Sequence, residues 1–63
     1  MVENIKSAAH EFTKNLGGAM ISPSVFYELL VEHLKKRYPI DEVINCLSNE
    51  LSNYAPNLLK KYS

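Results

Sequence analysis

Residues 21–39 read ISPSVFYELLVEHLKKRYP, and the fold follows from how this stretch begins, ends and distributes its apolar side chains. Ser22 is a favoured N-cap, and Pro23 falls at the first helical position, where its missing N–H would have had no partner in any case. Ile21 and Phe26 then occupy the N′ and N4 positions, the spacing of a hydrophobic staple. At the far end Pro39 disfavours a helical conformation for Tyr38, so a helix is predicted from Pro23 to about Tyr38. Lys35, Lys36 and Arg37 fill its last turn, where positive charge complements the helix dipole. Glu32 stands four residues before Lys36, the spacing of a favourable ion pair.

The apolar coverage of this helix is wide. At ~100° per residue, Leu29, Phe26, Leu30, Leu34, Tyr27, Tyr38 and Val31 spread over roughly 200°, and His33 and Arg37 fall inside that arc. A surface helix needs about half as much. Such a helix is either central in its own chain or shares a face with a second one. For the second case the expected contact is the flank of Tyr27, Val31 and Tyr38, because tyrosine offers a large apolar body and a hydroxyl that tolerates water.

On the N-terminal side, Val2, Ile5, Ala9, Phe12 and Leu16, with Ala8 beside them, recur at helical period over residues 2–16. The small residues in that narrow stripe would let another helix approach closely. Gly17-Gly18 ends it, since glycine readily takes the left-handed conformation a helix C-terminus needs. On the C-terminal side Asp41 is placed to cap a third helix, with Glu42 in its first turn. Ile40, Val43, Ile44, Leu47, Leu51 and Tyr54 trace its apolar stripe, and Asn45, Ser48, Asn49 and Ser52 form an uncharged polar face. Pro56 opens a short fourth helix through Leu58, Leu59 and Tyr62. No strand alternation occurs. Residues 34–38 and 59–62 resemble one another, which reads as two helix ends with the same dipole chemistry. The expectation is therefore an all-α fold over residues 1–63: one compact bundle of three helices plus a short C-terminal helix, assembled as a homodimer.

A chain of 63 residues supplies only ~3–5 kcal/mol from its own core. Its single cysteine, Cys46, cannot close an internal disulfide, and one cysteine with two histidines makes a structural zinc site a poor fit. Association with another subunit is the remaining support. Seven basic and seven acidic residues cancel, so no global field draws the chain to polyanions or to acidic lipid. No apolar run approaches the ~20 residues of a membrane span. Glu3 and the lack of an apolar h-region predict no signal peptide, and with the lone thiol this gives a cytoplasmic expectation.

Chemistry has few candidates. Cys46 falls in mid-helix beside Glu42 and Glu50, whereas a reactive thiol wants an electropositive setting or a helix N-terminus. It reads as a small buried hydrophobe, and His33, among Leu29, Leu30 and Leu34, as a half-buried residue at the core edge. Glu28 and Glu32 beside Lys35 and Lys36 form a solvated face. Gly17-Gly18 lacks the Lys-Ser or Lys-Thr of a phosphate-binding loop. No catalytic residue, metal ligand or cofactor site is expected.

Two functions then compete. The first is a small regulatory or adaptor protein that binds another protein or a second copy of itself. The second is a small dimeric DNA-binding regulator of helix-turn-helix character, with Lys35, Lys36, Arg37, Lys60 and Lys61 on phosphates. Against the second, residues 41–59 contain no Lys or Arg, and Asp41 and Glu42 stand where phosphates would approach. Protein binding leads.

Overall fold

The computed structural model describes residues 2–18 and 20–62. Four helices follow one another, α1 (Val2–Leu16), α2 (Pro23–Lys35), α3 (Ile40–Tyr54) and α4 (Pro56–Tyr62), with no strand among the described residues. None of these helices is long and apolar enough to cross a membrane.

The local signals explain most of the boundaries. Gly17 (φ 60°) and Gly18 (φ 83°) take left-handed conformations at the end of α1, and the Gly17 N–H bonds back to the Lys14 carbonyl at 3.1 Å. Ser22 caps α2, accepting the Val25 N–H on Oγ at 3.4 Å and the Phe26 N–H on its carbonyl at 2.9 Å.

Two boundaries differ from the sequence expectation. Helix α2 ends at Lys35, not Tyr38. The Arg37 and Tyr38 N–H groups both return to the Leu34 carbonyl, at 3.0 and 2.9 Å, and close the helix in a tight turn. The helix stops there because Pro39 has no N–H to offer the Lys35 carbonyl, and its ring would collide with that group. Asp41 does not cap α3. The cap position is Pro39, which makes no side-chain capping bond, and Asp41 and Glu42 lie inside the first turn facing the positive end of the dipole.

Nine of the described residues form the core: Ile5 from α1; Leu30, Val31 and Leu34 from α2; Val43, Ile44, Leu47 and Leu51 from α3; and Ala55 between α3 and α4. Helices α2 and α3 thus supply seven of the nine, and α1 supplies only Ile5, with Ala8, Ala9 and Phe12 half-buried around it. Burying one of the larger side chains favours folding by about 1.5–3 kcal/mol. Helix α4 lays Leu58, Leu59 and Tyr62 against the same core. Its last residue reaches α2, where the Tyr62 hydroxyl donates to Glu32 Oε1 and accepts from Lys35 Nζ, both at 3.5 Å, the outer limit of such contacts.

Candidate functional site

The packing of α1, α3 and α4 around α2 decides which part of it is left open. Ser24 and Glu28 of α2 share a hollow with Tyr54, Pro56, Leu58 and Lys61, while Glu32 and Lys35 meet Tyr62. Helix α4 therefore runs along the side of α2 on which Val31 projects. Val31 is 0% exposed. It is sealed within one protomer and cannot touch a partner, which corrects its assignment to a contact surface. Tyr27 and Tyr38, expected beside it, are half-buried and packed against the core. Of the three, Val31 is closed off, while Tyr27 and Tyr38 keep part of their surface exposed.

The other edge of the apolar arc is where α2 stays uncovered. Val25 is 43% exposed and Leu29 45%, one helical turn apart, with Ile21 preceding them at the same spacing. Ile21 also lines an open groove of about 460 Å³, together with Leu16, Pro23, Phe26, Tyr27 and Tyr54, with Thr13 and Gly18 contributing. The end of α1, the glycine turn, the start of α2 and the end of α3 all contribute to it. Its floor is a set of rings. Phe26 meets Tyr27 edge-on with centroids 5.0 Å apart, Tyr27 stacks on Tyr54 at 5.7 Å and 9°, and Phe12 lies 6.1 Å from Phe26. Burial, the Glu50 carboxylate and Tyr54 together raise the Tyr27 phenol above its ordinary value, so its hydroxyl stays protonated and neutral.

Periodicity along α2 does not single this region out, although one sign of it is present in the sequence. Residues 21, 25 and 29 form a row of three large aliphatic side chains four residues apart. Tyr54 also departs from its expected place on the α3 stripe, being 51% exposed and turned onto Tyr27.

The remaining candidates sit elsewhere. Cys46 is a free, half-buried thiol whose Sγ–H lies 3.8 Å from the Val2 carbonyl. His33 is exposed, with its ring 5.0 Å from Phe12, and is not the half-buried core-edge residue expected. No group of three or more His, Cys, Asp and Glu side chains that could hold a metal ion occurs among the described residues. The expected Glu32–Lys36 pair is replaced by Glu32–Lys35 at 3.1 Å. That contact holds the Glu32 carboxyl below, and the Lys35 ammonium above, their ordinary values, with Tyr62 reinforcing both. Lys35 and Lys61 come together over the Tyr62 ring, their Nζ atoms 5.8 and 5.3 Å from its centroid. The C-terminal turns of α2 and α4 thereby meet, while Lys36, Arg37 and Lys60 are exposed on those same turns.

Compared with known proteins, the chain matches no family model, no curated protein and no solved structure.

Proposed function

We propose that the chain is a non-enzymatic regulatory or adaptor module of the cytoplasm that works by binding protein through the open flank of α2. The observation that carries this reading is the open apolar groove of Leu16, Ile21, Phe26, Tyr27 and Tyr54, together with the exposed side chains of Val25 and Leu29 on the helix that forms one of its walls. Contiguous apolar surface rimmed by polar side chains costs solubility unless something covers it, and it is the common mark of an interaction site. Exposed apolar side chains on one helix and an open apolar groove suit an amphipathic helix laid alongside, with side chains entering between the turns. A small-molecule pocket fits less well, because the groove is open along its length and a bound small ligand is usually enclosed over most of its surface. A second copy of the chain is the first occupant to test, since a 63-residue protomer has little core of its own.

The experiment places a photo-crosslinking side chain at position 29 and, as a control, at exposed Asn53 of α3. The expected result is one defined adduct from position 29, with a second copy or with one other protein, and none from position 53. Val25→Glu with Leu29→Glu should abolish it while leaving the helical signal intact. A strictly monomeric protein in sedimentation, with no adduct from position 29 in cells, would remove this reading.

A further inference from the structure

Five of the seven cationic side chains lie on two short stretches, residues 35–37 and 60–61, and the fold brings those stretches together at Tyr62. From this we infer that the pole where α2 and α4 end is a second interaction surface, one that binds the phosphate backbone of nucleic acid without reading its sequence. It is separate from the open flank of α2, and neither reading depends on the other.

Three observations carry it. The first is convergence. Lys35 and Lys61, from stretches 23 residues or more apart in sequence, share one aromatic ring, which sets the two basic turns side by side. The second is the balance of charge. Leaving Lys60 aside, the two turns hold Lys35, Lys36, Arg37 and Lys61 against two carboxylates, Glu32, which engages Lys35 at 3.1 Å, and Glu28, which shares a hollow with Lys61, so cations outnumber carboxylates there in a chain whose formal net charge is zero. Asp41 and Glu42 open α3 just beyond Arg37 and weaken the field on that edge, so the strand approaches from the α4 side. The third is what the pole lacks. The exposed large apolar side chains among the described residues are Val2, Met20, Ile21, Val25, Leu29 and Tyr54, and none belongs to the two basic turns. An interfacial membrane helix needs apolar side chains to insert beside its cations. A nucleic-acid backbone needs only cations spaced along it. Sequence reading is not expected either, because α3, the only helix placed like a recognition helix, carries no Lys or Arg from end to end.

The test measures fluorescence anisotropy of the full chain with a labelled oligothymidine strand, a mixed-sequence duplex and phosphatidylserine vesicles. Binding of the two nucleic acids at a Kd of about 10⁻⁴–10⁻⁶ M is expected, with log K falling against log salt at a slope of roughly −3 for four phosphate contacts. Lys60→Glu with Lys61→Glu should weaken binding at least about tenfold at ~50 mM salt. Should that variant lose its helical signal, Lys36→Gln with Arg37→Gln, two exposed turn positions, gives the same reading with a loss of several-fold. Lys6→Glu with Lys14→Glu on α1 should change affinity by less than about twofold, since those cations lie off the pole. Glu32→Gln should tighten binding and steepen the salt slope by about one, because it releases Lys35 to a phosphate. No binding at low salt, equal losses from the α1 and α4 pairs, no gain from Glu32→Gln, or capture by the vesicles in preference to nucleic acid would each overturn the inference.

Discussion

The two flanks of α2 begin alike in the sequence and end differently in the fold. One carries Tyr27 and Val31, the other Val25, Phe26 and Leu29, and both are broad and apolar. On the first, Val31 is completely buried in the core that α2 shares with α3, and α4 meets α2 through Tyr62. Helix α1 reaches the edge of the second through Phe12, close to Phe26 and His33, but does not extend over Val25 and Leu29. A wide apolar arc thus states how much of a helix must be covered, while the next helix in the chain decides which side is covered from within. What it leaves bare is the surface offered outward.

The difference can be measured directly as stability. Val31→Ala opens a cavity in a fully packed site and should cost about 2 kcal/mol, roughly half of what a domain this size possesses. Leu29→Ala, at a solvated position, should cost about 0.5 kcal/mol or less. Urea unfolding midpoints compare the two, and equal losses would mean that the flanks are not distinct. A smaller effect than that of Val31→Ala is expected at the turn that sets α1 beside the open flank. An added Cβ at Gly18 would meet nothing within 4 Å, so Gly18→Ala should lose only the backbone term for a left-handed residue, about 1 kcal/mol. A larger loss in the same unfolding experiment would point to a packing role that the open space around Gly18 does not provide.

The smallest effect concerns the seam closed by α4. Glu32 is held below the ordinary carboxylate range chiefly by its bond from Lys35. A carboxyl with a depressed folded pKa contributes stability at neutral pH and loses it as pH falls through that depressed value. Glu32→Gln should therefore be slightly less stable than the parent near neutrality, and the gap should close in acid. Screening by solvent keeps the effect small. A gap that widened in acid would contradict the ion pair. Lys35, raised by the same contact, would lose its share only in strongly alkaline solution.

What was legible in the sequence is what local chemistry dictates. The end of α1 and the starts of α2 and α4 are written in Gly17-Gly18, Ser22-Pro23 and Pro56, each acting on backbone within a few residues of itself. The buried stripe of α3 is legible too, because periodicity is a property of one helix; Val43, Ile44, Leu47 and Leu51 all lie in the core. The open flank was not legible in the same way. Its position depends on how distant helices pack around α2, among them Tyr62 reaching Glu32 and Lys35, contacts 30 and 27 residues apart, and no periodicity within α2 distinguishes Val31 from Leu29. One clue was present: a short apolar helix after Pro56 had to find a place to lie, and the flank it took could no longer face a partner.

Thiol labelling of single-cysteine variants, Leu29→Cys and Val31→Cys in a Cys46→Ala background, tests the asymmetry of α2 most directly. The thiol introduced at position 29 should react in dilute protein at close to the rate of an unfolded peptide, and under the proposed function it should slow down once the surface is covered by a partner. The thiol introduced at position 31 should react only through global opening, slower by about 10²–10³ for a domain holding ~3–5 kcal/mol. Comparable rates at the two positions, or a faster reaction at 31, would contradict the claim that one side of this helix is core and the other is surface left for a partner.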